Sequence, residues 1–304
     1  MYKQIDSNKQ KSLILVALFI GLIAAVGYVY SSVAGDGYVA LTYALVVSTG
    51  YTAFSWFAGS ALTLWSTGAR EITDRNQNMM LWNLVENLAI TVGIPKPRIF
   101  IIADDAPNAF ATGRDPQHAS IAVTEGLLHL LTKEELEGVI AHELSHVGNY
   151  DIRWMMLVGV LVGALSIIGD TIFRHGLFGG RRSSDDRDNP LSGPLMIVGI
   201  LFIVLSPLIG QLIQLAVSRK REYLADASGA LLTRYPEGLA SALEKIRDTG
   251  RAVTRAPSAT AHLWISDPRA TNQPSALSRL ANLFSTHPPI DDRIAQLRGM
   301  KDAQ

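Results

Sequence analysis

The chain has 304 residues, enough for one or two domains with a sizeable core. Its 27 basic and 27 acidic residues cancel, so no net field draws it to nucleic acid or acidic partners. It has no cysteine, which excludes disulfides, thiolate metal sites and cysteine nucleophiles together.

Leu13 to Val33 is uncharged and as long as the roughly 20-residue helix a bilayer needs. Its apolar stretch exceeds that of a cleaved leader, so a retained anchor is expected. Val39 to Trp65 is a second uncharged run. Arg70 to Ala89 then reads as a polar-faced helix, with Leu81, Leu84, Val85 and Leu88 at helical spacing. "IPKPRIFII" breaks it with two prolines and opens a strand at Arg98 to Ala103. "DDAPNAFATGRDPQHA" has turn chemistry around a short apolar piece, Ala109 to Thr112, and "SIAVTEGLLHLL" begins as a strand and becomes a helix. Thr132 and Glu135 form a capping-box pattern, which predicts a helix from Lys133 to about Tyr150. Trp154 to Phe173 is a third apolar run, broken only by Asp170, and Leu191 to Val217 is a fourth. Beyond it "SRKREYLADASGALLTRY" and "PEGLASALEKIRDTG" read as helices, Arg251 to Leu277 as loop, and "THPPIDDRIAQLRGM" as a short closing helix.

One apolar run alone could be a buried core helix; four predict an integral membrane protein. The expected organisation is a membrane hairpin over 1–66, a first soluble part over 67–153, a second hairpin over 154–217 and a second soluble part over 218–304. Lys3, Lys9, Lys11, Arg70, Arg75, Arg153, Arg219, Lys220 and Arg221 gather on one side of the spans, which places that side in the cytoplasm. The 179–190 loop, "GGRRSSDDRDNP", carries four arginines with its neighbour Arg174 and weakens this rule without reversing it.

His142 and His146 stand four apart, so both project from one helical face and can grip one Zn²⁺. Glu143, about 100° round the helix, can reach a water at that site without binding the metal. Asn149 and Ile152 stand where a third histidine-containing extension would need Gly and His, so the third ligand must come from elsewhere. In "REYLAD", Glu222 and Asp226 share a face: Glu222 could bind the ion while Asp226 orients a ligand histidine. On spacing alone the pair fits a solvated acidic stripe beside Arg219 and Arg221 equally well. Two membrane crossings between His146 and Glu222 return the chain to one side, so these groups can meet.

"AHELSH", "REYLAD", "NAFATG" and "THPPIDDRI", in this order with hydrophobic segments between them, resemble the HtpX family of membrane-bound zinc endopeptidases, related more distantly to CAAX prenyl proteases. The resemblance implies a four-helix membrane protein with a zincin-like α+β protease domain, one Zn²⁺ per chain, and a bacterial inner-membrane location. Its substrates would be protein chains, damaged or misfolded membrane proteins above all. It implies His142, His146 and Glu222 as ligands, Glu143 as general base and Asp226 as their buttress. His287 and Arg293 match a C-terminal pair over the active site, His287 being the candidate oxyanion donor. Asn108 opens a segment, Ala109, Phe110, Ala111 and Thr112, that matches an edge strand lining the substrate cleft. A CAAX-type prenyl-peptide protease and a non-catalytic scaffold with structural zinc are the competing expectations. Four spans rather than about seven argue against the first, and the lack of a fourth protein ligand argues against the second.

Overall fold

A computed structural model describes residues 2–172, 219–268 and 288–301. The fourth apolar run, the 179–190 loop and His287 lie outside the described residues, and the third run is described as far as Ile172.

The polar start of the chain contains no glycine or proline, and it joins the first apolar run in one helix, α1 (Tyr2–Ala34). Gly35 and Gly37, both at positive φ, turn the chain into α2 (Val39–Ser66). Phe19 of α1 meets Tyr51 of α2, and Gly27 lies against Ala40 and Ala44, so the two helices run antiparallel. Among the described residues, Ile5–Ser32 is the one segment with the length and hydropathy of a membrane crossing. The 28 residues of α2 carry no charge but are diluted with Thr, Ser, Gly and Tyr. Its buried face, Ser48, Thr52, Ser55, Gly59 and Thr63, is small, and Thr52, Ser55 and Thr63 bond back to carbonyls one turn earlier. That face lets neighbours approach closely without stranding a hydroxyl.

The sheet has four strands in the order β1 (Arg70–Ile72), β2 (Arg98–Ile102), β4 (Ala119–Thr124), β3 (Ala109–Gly113). β2 and β4 are parallel; the two outer pairings are antiparallel. Here the expected helix from Arg70 is corrected. Arg70–Ile72 pairs with β2, Asp74 and Gln77 close a capping box around a short 3₁₀ turn, and the helix α3 begins only at Met79 and ends at Val92. The Asn78 side chain accepts from the Leu81 amide at 3.0 Å, which sets that start. Leu81, Leu84, Val85 and Leu88 are buried as their spacing predicts, each contributing about 1.5–3 kcal/mol.

After α4 (Glu125–Leu130), Thr132 and Glu135 close the predicted capping box on α5 (Lys133–Gly148), the central helix of the soluble core. Tyr150 follows at φ 61°, and α6 (Asp151–Ile172) departs from it beside α1 and α2. α7 (Arg219–Thr233), α8 (Pro236–Thr249) and α9 (Ile290–Lys301) complete the described helices. Glu135 binds α5 to α8, accepting from Ser241 at 2.6 Å and Lys245 at 2.8 Å.

Close backbone approach of α5 to α8 depends on Gly138, where a Cβ would lie 2.7 Å from the Leu239 nitrogen. Gly138→Val should therefore destabilise the purified chain by about 1–3 kcal/mol, read as a lower denaturation midpoint in detergent.

Candidate metal centre and active site

His142, Glu143 and His146 lie on the buried part of α5. α7 reaches the same point because Gly229 sits against the backbone of His142, where a Cβ would be 3.0 Å from its nitrogen. Glu222 and Asp226, both on the face turned to α5, then meet the histidines. Glu222 Oε2 is 3.8 Å from His142 Nε2, its Oε1 is 3.6 Å from His146 Nε2, and the two Nε2 atoms are 3.2 Å apart.

The outer nitrogens decide what these inner atoms are. His142 Nδ1 lies 2.9 Å from Asp226 Oδ1, and His146 Nδ1 lies 3.1 Å from Asp151 Oδ2. Each Nδ1 faces a carboxylate and so carries the proton, which leaves each Nε2 as a bare lone pair. Two lone pairs and a carboxylate, buried and converging within 4.8 Å, suit one metal ion. The carboxylates around it also attract a proton to His146, so its Nε2 is a free lone pair only once that proton has left, and proton and metal ion compete for it. Burial lowers its pKa, but Asp151, Glu222 and Glu143 outweigh that and hold it near 9. Burial dominates at His142 and lowers it.

Glu143 lies between this cluster and β3. Burial pushes its carboxyl up to about 7; His146 opposes this, Glu222 adds to it, and the Ala111 amide donates a hydrogen bond to it. A carboxyl near neutrality is suited to taking and returning a proton.

Asp226 is held by Arg293 of α9, whose Nε and Nη2 donate to its two oxygens at 2.8 and 2.7 Å. Burial alone would raise Asp226; the Arg293 charge and the hydrogen bonds of Arg293 and His142 hold it down at about 2. Arg293 Nη1 also donates to the Ile265 carbonyl at 2.8 Å. Asp226 is thus no solvated stripe, being 2 % exposed.

β3 is one of the two edge strands of the described sheet. Its outward side is half covered: Ile265 N–H donates to the Ala109 carbonyl at 2.9 Å, Trp264 bridges to Phe110 with rings 4.7 Å apart, and Asn108 donates to the Ser266 carbonyl at 3.1 Å. Backbone groups alternate along an antiparallel strand, so Ala111 faces outward as Ala109 does, towards Glu143. The structure therefore gathers His142, Glu143, His146, Glu222, Asp226 and Arg293, sets Ala111 beside them, and uses Asn108 to clamp the 264–266 segment. His262 bonds the Met155 carbonyl at 2.9 Å and ties that segment's approach to α6.

Asp151 escapes a sequence reading. Its only signal is an acid five residues after His146 at a helix start. Arg221 Nε lies 2.9 Å from its Oδ1, and Asn8 Nδ2 donates to the same oxygen at 2.6 Å.

The chain belongs to peptidase family M48, whose sequence pattern matches residues 75–301, and is a membrane-associated metalloprotease. It is 44% identical over 300 residues to a protease HtpX homologue of Tropheryma whipplei, covering 99% of this chain and 98% of that one. A protease HtpX homologue of Dictyoglomus turgidum is 44% identical over 98% of this chain and 94% of its own, and one of Limosilactobacillus reuteri is 40% identical over 99% and 100%. In fold it is similar to the crystal structure of S. mikatae Ste24p, with a TM-score of 0.52 and 20% identity over 98% of this chain and 67% of that one.

Because the folded pKa of Asp226 lies below its ordinary value of 3.8, the pair's stabilisation is complete above about pH 4 and is lost as pH falls towards 2. Arg293→Met, which leaves Asp226 buried without its counter-charge, should cost about 3–5 kcal/mol at pH 7. That difference should shrink as pH falls below about 4, measured by denaturation of both forms in detergent across pH.

Proposed function

We propose that the chain is a zinc-dependent endopeptidase that cleaves misfolded or damaged membrane proteins at the cytoplasmic face of a bacterial inner membrane. The observation that carries this is the convergence of two buried Nε2 atoms and the Glu222 carboxylate, with a second, desolvated carboxyl at Glu143 beside them. His142, His146 and Glu222 are the proposed ligands, and the donor set of two imidazoles and one carboxylate suits Zn²⁺ with a position left for water.

Bound zinc supplies Lewis acidity, activating water and polarising a scissile carbonyl. Glu143 accepts the proton of the attacking water and returns it to the leaving amine. Asp226, with Arg293 behind it, holds His142 in the tautomer that turns Nε2 inward. His287, proposed from its motif as the oxyanion donor, lies outside the described residues. The substrate backbone pairs with the outward edge of β3 from Ala111 to Gly113. Asn108 and Ala109 belong to the covered half and act by holding the 264–266 segment. Main-chain pairing tolerates many sequences, which suits turnover of damaged chains.

The proposed layout keeps two hairpins in the bilayer, 1–66 and 154–217, with 67–153 and 218–304 joined as one protease domain at its surface. Supporting it, α1 and α2 carry large apolar side chains exposed along their length, Leu13, Val46, Val47 and Phe57 among them. At their junction with α6, Lys9 and Arg153 lie over Tyr150, and Arg153 also over Trp56. Basic groups beside amphipathic rings suit a headgroup boundary.

Glu143→Gln in detergent-purified protein should keep its zinc and lose about 10²–10⁴-fold or more in cleavage of an unfolded membrane-protein substrate. Cleavage at the parent rate would sink the assignment.

A further inference from the structure

The two proposed histidine ligands are held by mirror-image devices, and only one is visible in a sequence motif. His142 leans on Asp226, four residues after Glu222, and Asp226 leans on Arg293. His146 leans on Asp151, and Asp151 leans on Arg221, the residue before Glu222, and on Asn8 of α1. Asp151 opens α6, and an acid there also suits the helix dipole, which would be its ordinary explanation. Its contacts exceed that role. Both oxygens are engaged, the residue is 3 % exposed, and its three side-chain partners, His146, Arg221 and Asn8, come from three different helices.

Asn8 is equally unusual for its place. It lies in the polar lead of an otherwise apolar helix, yet it is 5 % exposed. One amide nitrogen donates both to Asp151 Oδ1 and to the Asn149 carbonyl, at 2.6 and 3.0 Å, across more than 140 residues of sequence. Asn149 caps the end of α5 and Asp151 begins α6. Asn8 therefore grips the corner between the helix that carries both histidines and the helix that leaves it. That corner is also where Tyr150 takes the left-handed conformation, uncommon for a bulky residue.

We propose that Asp151 is the positioning residue of His146, fixing its Nδ1–H tautomer and ring, and that Asn8 locks Asp151 so that the metal centre is complete only when α1 is seated against α5 and α6. The inference rests on His142, His146 and Glu222 being the metal ligands. Arg221 gives Asp151 its counter-charge while its neighbour Glu222 faces the inner nitrogens, so one turn of α7 serves both parts of the site.

The test uses the full chain in detergent, with zinc affinity measured by competition against a chromogenic chelator and geometry read from the visible spectrum of the Co²⁺-loaded protein. Asp151→Asn keeps the shape but loses the charge and one acceptor. It should bind zinc about 10–100-fold more weakly and shift the cobalt bands. Asn8→Leu leaves the Asp151–His146 bond in place and should weaken zinc in the same direction by a smaller factor. Thermal unfolding of both variants in EDTA separates positioning from folding: the affinity loss should exceed what any unfolded fraction accounts for. Parent affinity and spectrum in Asp151→Asn overturn the role of Asp151, parent affinity in Asn8→Leu overturns the lock, and a loss explained wholly by unfolding overturns both. His146→Ala and Glu222→Gln test the underlying ligand assignment. If either keeps parent affinity that assignment fails; if both lose zinc while Asp151→Asn keeps it, only the present inference fails.

Discussion

Three groups that offer electrons to one buried point cannot stay there unaided, and most of this fold follows from that constraint. Each histidine must present a bare Nε2, so each must give its other proton to a carboxylate, Asp226 or Asp151. A buried carboxylate in turn needs a cation, which Arg293 and Arg221 supply. Charge therefore alternates outward from the centre along two branches. The members of those branches come from α5, α6, α7 and α9, and Asn8 extends one of them into α1. Packing serves the same end: Gly138 and Gly229 let α8 and α7 touch the backbone of α5, so the donors meet at hydrogen-bond scale.

Much of this was legible in the amino-acid order. Helical spacing placed His142 and His146 on one face, and the Thr132–Glu135 capping box located the start of their helix correctly. Glu222 and Asp226 were legible from spacing as a pair but not in their separate roles, because spacing cannot distinguish a buried carboxylate from a solvated one. Burial and Arg293 do. Arg70 to Ala89 misled because its apolar spacing begins inside α3, and the two caps that delay the helix, Asp74 and Asn78, look like ordinary polar residues. Asp151 and Asn8 were invisible for a different reason. Their importance lies in a contact 143 residues apart, which no local pattern encodes. The segment after residue 258 looked like loop, and its pairing with β3 depends on one bridge and one asparagine clamp.

That pairing reshapes the cleft. A fully free edge strand would offer β3 from Ala109 onward, but the chain itself occupies the Ala109 carbonyl through Ile265. Arg293 holds the Ile265 carbonyl as well as Asp226, so the internal strand and the histidine buttress share a support. In the proposed mechanism the substrate register is thus tied to the same cation that stabilises the ligand helix. Ala111 is the hinge between the two roles, with its amide on the Glu143 carboxylate.

The order in which the branches are made has its own consequence. Asn8 precedes every inner donor in the chain and Arg293 follows them all, while the inner donors are complete by Glu222. A growing chain that has passed Glu222 but not Arg293 holds Asp226 without its buried counter-charge, so the ligand helices have reason not to close. Translation itself then acts as a delay line: the proposed centre closes only some time after the last of its inner donors has been made.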